Sequence, residues 1–291
     1  MHKYLTAIGF GNISSKKKLN EILTEVEDSF THHELVYAEE ELDYCEFQKE
    51  YTAGIGIAIF GELDMDEYFE RQYYFPYFIG TGITSYADVV IEKRIDRDSY
   101  VGICEDVKIG INLIFHLQNT IEYIKERQIN LFGVKSKSVT LSALCNEGMV
   151  LLPVMKNETQ TKQQQQEVHN RMMLMSAART GDQTAIESLT LDDIDTYTKI
   201  SQRLIKEDVF SIVDTYIMPY GIECDRYSIL GTILELQKME NEYTGEELYI
   251  MKLEVNELQF DLCVPVEHVV GEPAVGRRFK GNIWMLGRIN F

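Results

Sequence analysis

A run of basic and aromatic residues at the C-terminal end gives the strongest chemical signal in this sequence. Four basic residues and no acidic residue lie between position 275 and the end of the chain. They are Arg277, Arg278, Lys280 and Arg288. The one tryptophan, Trp284, falls among them, and the period of two along a strand places Lys280 and Trp284 on the same face. Because cations beside an aromatic ring hold single-stranded nucleic acid and other anions on small barrels, the segment predicts an anion-binding strand through Arg277, Arg278, Lys280 and Trp284.

A second interpretation of this segment is structural. Trp284 would then belong to the core, and the arginines would pair with the acidic residues between positions 235 and 257. The whole chain holds 28 Lys and Arg against 47 Asp and Glu, which gives a net charge of −19 at pH 7. Since such a chain repels phosphate backbones, we expect no nonspecific binding of nucleic acid. The expected partner is a small anionic ligand or another protein.

Two aspartates at alternate positions, Asp64 and Asp66, form a weaker candidate site. They lie in the densest acidic stretch of the chain, residues 62–70. Paired carboxylates hold divalent cations or perform acid–base chemistry, and the Asp-x-Asp spacing resembles the metal-binding motif of some glycosyltransferases. On this hypothesis the protein is a hydrolase or transferase of unrecognised type. The alternative is an acidic, solvated surface.

The segment Tyr73–Phe78 contains five aromatic residues and one proline. Aromatic side chains dominate both protein cores and protein interfaces. The segment therefore predicts either core packing or the contact of a homo-oligomer, and the second case would make the protein a self-assembling structural component. A wall on which a ligand stacks is a third interpretation.

Familiar catalytic and cofactor motifs are missing from the sequence. Residues 133–138 offer one glycine and lack the Gly-Lys-Ser ending of a phosphate-binding loop, and residues 32–34 lack the second histidine of a zinc-protease helix. No Gly-x-Ser-x-Gly elbow occurs. We expect no cofactor, and a binding or scaffold protein is favoured over an enzyme.

The cysteines and the N-terminus indicate a compartment. The five cysteines are odd in number and far apart, so we expect free thiols rather than a disulfide framework or a zinc knuckle. The first ten residues lack the apolar core of a signal peptide. The longest apolar run, residues 53–60, is far shorter than the roughly 20 residues that a membrane helix needs. The sequence predicts a cytoplasmic protein without a membrane span.

Mixed helix and strand patterns characterise the first half of the chain. Ser14 and Ser15 are suited to cap a helix whose apolar residues follow helical spacing. Two short strands, 139–144 and 149–154, are predicted on either side of a turn at residues 146–148. No regular alternation of strand and helix is visible, so we expect an α+β domain with an antiparallel or mixed sheet.

The second half of the chain changes from helical patterns to strand patterns. Helical spacing dominates at first, with a helix start predicted at Thr190–Asp193. From position 225, four or five alternating strands with interior glycines, including a tight turn at residues 256–257, predict a small barrel of OB-like or SH3-like type. The predicted class is α+β. Its domains are a mixed helix and sheet domain at 1–155, a helical connector at 156–224 and a small C-terminal β-barrel at 225–291.

Several segments spread along the chain are typical of one family. They are Met1–Phe10, Gly102–Val107, Glu187–Leu191, Met218–Gly221 and Gly271–Trp284. Through them the sequence resembles, nearly end to end, a family of uncharacterised clostridial (Firmicutes) proteins classed as a domain of unknown function. The resemblance implies a cytoplasmic bacterial protein and carries over no activity, cofactor or catalytic residue. The leading hypothesis is therefore a non-enzymatic binding or scaffold protein whose C-terminal barrel engages an anionic ligand or a protein.

Overall fold

Two β-sheets flanked by helices make up the described part of the chain in a computed structural model. The described residues are 2–13, 15–37, 43–64, 66, 68–94, 99–106, 111–130, 136–154, 166, 170–171, 173–178, 180–204 and 209–291. The helices are α1 (Lys16–Asp28), α2 (Thr120–Ile129), α3 (Gln183–Leu204) and α4 (Val209–Ile212), and 3₁₀ turns span Lys3–Ile8 and Val266–His268. Helices and strands both contribute, so the predicted mixture of helix and sheet is confirmed.

The first sheet is an antiparallel meander of four consecutive strands. The strands are β1 (His32–Tyr37), β2 (Asp43–Thr52), β3 (Ile55–Leu63) and β4 (Phe69–Phe78). Helix α1 packs against β2 and β3. It begins at Ser15, whose Oγ accepts a hydrogen bond from the Lys18 backbone N–H at 3.2 Å. A Cβ on Gly56 would overlap the Lys49 carbonyl oxygen and lie 2.7 Å from the Tyr77 ring, so glycine is needed where β2 and this ring approach β3.

The second sheet contains a closed barrel of five strands. They are β8 (Ser138–Leu151), β10 (Arg226–Glu240), β11 (Glu247–Val255), β12 (Leu258–Pro265) and β14 (Arg278–Asn290). β8 pairs in parallel with β12 and antiparallel with β14, and these two ladders close the ring. Phe260, Phe279 and Met285 are among the side chains that fill its interior. The tight turn at Asn256 and Glu257 is confirmed, with φ of 47° and 65°, as a two-residue hairpin loop requires.

Strand β8 corrects two features of the prediction. Residues 146–148 form no turn, because β8 continues through them to Leu151. The β8–β14 ladder shifts register opposite residues 281–283, and such a bulge admits polar residues without ending the strand. β8 also comes before position 225, so the barrel is not built from residues 225–291 alone. The division into three domains stays a prediction.

Short strands extend the second sheet beyond the barrel. They are β5 (Val89–Lys93), β6 (Tyr100–Cys104), β7 (Leu113–Leu117), β9 (Tyr216–Pro219) and β13 (Val269–Val270). β5, β6 and β7 form an antiparallel array that joins β14 through a parallel pairing with β7. β9 pairs with β10, and β13 pairs with β8.

Helix α3 starts earlier than predicted. Asp182 Oδ1 accepts hydrogen bonds from the backbone N–H groups of Thr184 at 2.9 Å and Ala185 at 3.3 Å. This cap places the helix start at Gln183, so the start predicted at Thr190 is wrong and Thr190 lies inside the helix. In the part of the chain that the structure describes, no helix is long and apolar enough to cross a membrane.

A second core lies between the barrel and the first sheet. The N-terminal 3₁₀ turn contributes Tyr4 and Leu5, and the outer face of β14 contributes Trp284 and Leu286. Because side chains alternate along a strand, β14 fills the barrel with one set and this second core with the other. The candidate site lies at the edge of the second core.

Candidate functional site

A cavity of about 230 Å³ lies where the N-terminal turn, β4 and the outer side of the barrel meet. We call it the Trp284 cavity, after the tryptophan of β14 that lines it. The N-terminal turn is held in place because the His2 backbone N–H donates to the Tyr74 hydroxyl at 2.8 Å and the His2 Nδ1 accepts from the Tyr4 N–H at 3.4 Å. Residues more than 280 positions apart in the chain therefore form one site.

Aromatic rings form the walls of the cavity. The Tyr4 ring stacks on Trp284 with centroids 5.5 Å apart and an angle of 22° between the planes. The rings of His2 and His116 lie 4.7 and 5.1 Å from the Trp284 centroid. Burial raises the pKa of the Tyr4 hydroxyl, so it stays protonated at neutral pH. The walls are apolar in body with polar tips, as in many small-molecule sites.

Asp225 supplies a buried carboxylate at the start of β10. Its Oδ2 accepts a hydrogen bond from Arg94 at 3.0 Å and another from the Trp284 indole N–H at 3.0 Å. Its backbone carbonyl accepts from the Met285 N–H at 2.9 Å, which fixes the residue beside β14. Its second oxygen, Oδ1, is buried and has no hydrogen-bond partner among the described residues. The carboxylate is thus firmly held and only half satisfied.

Arg226 lies next to Asp225 and also lines the cavity. Its guanidinium forms an ion pair with Glu223 and lies over the Tyr4 ring, 5.5 Å from the centroid. Its Nε has no hydrogen-bond partner in the described part of the chain. Lys3 adds a further cation, 5.8 Å from the Tyr4 centroid. The cavity therefore presents charges of both signs against aromatic rings.

The structure places only one of the four predicted C-terminal site residues at this cavity. Trp284 lines it. Arg278 is buried, and its guanidinium donates to the backbone carbonyls of Leu152, Val213 and Phe210 at 2.8 to 2.9 Å. Burial lowers the pKa of Arg278. Because these three hydrogen bonds use the guanidinium within the protein, a ligand would have to compete with them.

The other C-terminal cations also contact the chain. Arg277 donates to the Glu272 carbonyl at 2.5 Å, and Lys280 Nζ lies 4.4 Å from the centroid of the Phe210 ring. Arg288 pairs with Glu122 at 2.7 Å. The structural interpretation of the sequence expected the arginines to pair with residues 235–257. Among the described residues, they do not. The two ion pairs of that acidic stretch in the described structure are Lys238–Glu247 and Lys252–Glu235.

Asp64 and Asp66 lie in an exposed turn between β3 and β4. Asp64 Oδ1 accepts from the backbone N–H groups of Asp66 at 2.9 Å and Tyr68 at 2.8 Å, which is an Asx turn that organises the chain locally. Within the described ranges, no group of three or more His, Cys, Asp or Glu side chains could hold a metal ion. Cation binding by this pair stays a prediction.

The aromatic segment Tyr73–Phe78 forms the second half of β4. Phe75, Tyr77 and Phe78 are buried in the second core, and Tyr73 and Tyr74 pack against it. Tyr73, Tyr74 and Phe75 also line the Trp284 cavity. The segment thus lies in the core and beside a cavity, while its part in a homo-oligomer stays a prediction.

Sequence reasoning missed the charged residues of the cavity. Arg94, Asp225 and Arg226 belong to no motif, and they are far from Trp284 in sequence. One local signal existed: the adjacent Asp225 and Arg226 stand immediately before the apolar run of β10. A charged pair at the entry of a buried strand needs partners when it is itself buried, and this could have marked both residues.

A second polar group lies between the first sheet, α2 and β14, around a cavity of only about 20 Å³. We define this Glu46 cluster as Glu34, Glu46, Glu122 and Arg288. Glu46 is buried, its Oε1 accepts from Gln48 at 2.5 Å, and its Oε2 has no hydrogen-bond partner among the described residues. Burial raises the pKa of Glu46 to about 7; the Gln48 hydrogen bond and Arg288 oppose the rise, and the Glu34 and Glu122 carboxylates add to it.

Comparison with known proteins gives one match. A family model matches residues 5–287, and its description reads "Domain of unknown function, E. rectale Gene description". E. rectale is a clostridial Firmicute, so the family resemblance inferred from the sequence is confirmed. No curated protein and no solved structure matches the chain. The family's description names no activity.

Proposed function

The chain belongs to the DUF3881 family, and we propose from the geometry of the Trp284 cavity that it is a non-enzymatic protein that binds a small organic anion there. The observation that carries the proposal is the meeting of three cations, Lys3, Arg94 and Arg226, at one aromatic cavity. The carboxylates of Glu223 and Asp225 lie at the same cavity, so the described lining residues carry one more positive than negative charge, in a chain of net charge −19. A local reversal of charge favours an anionic ligand.

Of the predicted C-terminal site, only Trp284 belongs to the proposed site. Its cations are Lys3, Arg94 and Arg226. Arg278 already donates to three carbonyls, and an anion would have to compete with those bonds. The side chains of Arg226 and Glu223 are 22% and 42% exposed, so an incoming anion can approach this guanidinium more easily than that of the buried Arg278. Arg277 donates to the Glu272 carbonyl and Lys280 lies over the Phe210 ring. Neither residue lines the cavity, so Arg277 gives a matched comparison for Arg226.

The barrel is of OB-like rather than SH3-like type in this proposal. β10, β11 and β12 form an antiparallel meander, β12 pairs in parallel with β8, and β14 lies between β8 and β10. This is the strand order of an OB barrel in which β8, first in sequence, occupies the place of the last strand. The parallel β8–β12 pair supports the choice, since SH3-like barrels are antiparallel throughout.

The cytoplasm is the compartment that fits this proposal. The five cysteines are free, and four of them are buried: Cys45, Cys104, Cys145 and Cys263. Burial raises the pKa of the thiols of Cys45 and Cys104 to about 11, so neither is a reactive thiolate at neutral pH. Unpaired cysteines are typical of proteins in a reducing compartment.

Calorimetric titration of the full chain tests the proposal. The probes are small metabolites that carry a carboxylate or a phosphate: L-amino acids, 2-oxo acids, dicarboxylates, benzoate and inorganic phosphate. We expect saturable binding of at least one of them, and a Kd at least about tenfold weaker in Arg226→Gln, since a hydrogen bond to a charged group is worth about 1.5–3 kcal/mol.

The matched control is Arg277→Gln, which removes the same charge outside the cavity. It should leave the Kd within about twofold. Loss of binding in Arg277→Gln with retention in Arg226→Gln would return the site to the C-terminal basic segment. The absence of binding by every probe would contradict the proposed function.

A further inference from the structure

Resting on the proposed function, we propose that the ligand of the Trp284 cavity is a free α-amino acid, whose carboxylate meets Arg226 and whose ammonium group meets Asp225. The two residues are adjacent in sequence and line the same cavity. One is anionic and the other cationic, and each has an unused hydrogen-bonding atom. An α-amino acid carries the two complementary charges on neighbouring carbon atoms.

Asp225 is a buried carboxylate with an unused oxygen. Its side chain is 1% exposed, and one of its two carboxylate oxygens has no donor among the described residues. A buried carboxylate oxygen without a donor is costly, and such atoms in native proteins normally have a partner. A purely anionic ligand supplies no donor and repels this carboxylate. A ligand with an ammonium group supplies three N–H donors and a positive charge.

Arg226 is suited to bind the carboxylate of the ligand. Glu223 occupies one terminal nitrogen of its guanidinium, and Nε has no partner in the described structure. A guanidinium presents five N–H donors in a fixed fork that suits a carboxylate. The stacked Tyr4 ring holds the guanidinium from one side and so restricts its orientation. The carboxylate of the ligand is therefore expected at Arg226.

The size and walls of the cavity also fit an amino acid. A volume of about 230 Å³ corresponds to about eight water molecules. That space is large enough for a single amino acid. The rings of Tyr4 and Trp284 offer π faces, which attract an ammonium group as well as an apolar side chain. Charge, donor pattern and volume agree on one class of ligand.

A ligand series tests this inference on the unaltered protein. The 20 L-amino acids are first compared by thermal shift. The best of them is then titrated by calorimetry beside its deaminated acid, which keeps the carboxylate, and its decarboxylated amine, which keeps the ammonium. We expect each analogue to bind at least tenfold more weakly than the amino acid. Adenine, which also presents a donor beside an acceptor, serves as the competing class.

The variant Asp225→Asn assigns the ammonium site. It keeps the shape of the side chain and removes the negative charge, so the amino acid should bind at least tenfold more weakly, while the deaminated acid, which the Asp225 carboxylate repels, should bind no more weakly than to the unaltered protein. Circular dichroism melts establish whether the variant is folded. If it is not, the ligand series on the unaltered chain still tests the inference.

The outcomes separate this inference from the proposed function. If the deaminated acid binds as tightly as the amino acid, the ligand is a simple anion and the inference is wrong, while the proposed function stands. Binding of adenine without binding of any amino acid also overturns the inference. If no anion binds at all, both fail.

Discussion

The Trp284 cavity and the Glu46 cluster are two polar regions at the same junction of sheet and barrel, and they differ in room and in charge. The first encloses about 230 Å³ and the second about 20 Å³. β14 contributes to both, through Trp284 and Arg288. Among the described lining residues, the first has three cations and two carboxylates, whereas the second has three glutamates and one arginine. A buried polar group becomes a binding site when it keeps both space and unused hydrogen-bonding atoms.

The Glu46 cluster has an unused atom but no space. Its cavity accommodates about one water molecule. Burial raises the pKa of Glu46 to about 7, so its carboxyl group is mostly protonated below that pH. In the Trp284 cavity, Asp225 is buried as well, but Arg94 and the Trp284 indole already bind one of its oxygens. The comparison predicts that the first region responds to ligands and the second responds to pH.

Trp284→Ala should have the largest effect on folding. The side chain is 5% exposed, it packs in the second core, and its indole N–H satisfies Asp225. Replacement of a buried tryptophan by alanine typically costs about 3–5 kcal/mol. Urea denaturation measures the free energy of unfolding. Ile222→Ala, at a fully exposed position, is the control and should change it by less than about 0.5 kcal/mol; a Trp284→Ala cost equally small would contradict the second core.

Glu46→Gln should change how stability depends on pH. The folded pKa of about 7 lies above the ordinary 4.5, so the folded state binds the proton more tightly than the unfolded state. The protonated carboxyl therefore stabilises the fold fully below pH about 4.5, and this contribution is lost as the pH rises through about 7, by up to about 3 kcal/mol. Denaturation at pH 5 and pH 8 should show this fall in the unaltered protein and a smaller fall in the variant.

The control for this pH series is Glu50→Gln, at an exposed position on the same strand β2. It should keep the pH dependence of the unaltered protein. The polar groups around Glu46 are His32 and Glu34 on β1, Gln48 on β2, Asn119 and Glu122 at α2, and Arg288 on β14. If the free energy of unfolding depended on pH equally in all three proteins, Glu46 would not be the titrating group. The predicted difference between the two polar regions would then be contradicted.

Arg278→Lys should have a smaller effect, of about 1–3 kcal/mol. Lysine keeps the charge but cannot reach three carbonyls with a planar fork, and a buried carbonyl left without a donor costs free energy. Arg277→Lys, whose partner Glu272 is exposed, should change the free energy of unfolding by less than about 0.5 kcal/mol. If Arg278→Lys is as mild as its neighbour, Arg278 is available to a ligand after all.

Local patterns in the sequence predicted the elements whose cause is local. Ser15 caps α1 and the Asn256–Glu257 turn joins β11 to β12, because a hydroxyl at a helix start and two residues at positive φ are short-range requirements. The alternation of β14 likewise placed Trp284 on a defined face. The bulge in β8 was missed because a partner strand more than a hundred residues away keeps residues 146–148 in the ladder.

The candidate site was predictable only in part. Trp284 was identified, but Arg94, Asp225 and Arg226 reach it through pairings of β10, β14 and the N-terminal turn that no local pattern specifies. The three carbonyls that hold Arg278 belong to α4 and to residues just after β8 and α4, which a sequence cannot place beside β14. The basic cluster in the sequence therefore led to β14, whereas the cations that line the cavity, Lys3, Arg94 and Arg226, lie elsewhere in the chain.

The indole N–H of Trp284 gives the most direct test of the central claim. It is the one tryptophan of the chain, so a single indole resonance in a ¹H–¹⁵N spectrum reports on the cavity. The account predicts that this resonance shifts saturably as the best-binding amino acid is added, and that Arg226→Gln weakens the apparent affinity while Arg277→Gln does not. A resonance that stays unmoved while a ligand binds elsewhere on the chain would contradict it.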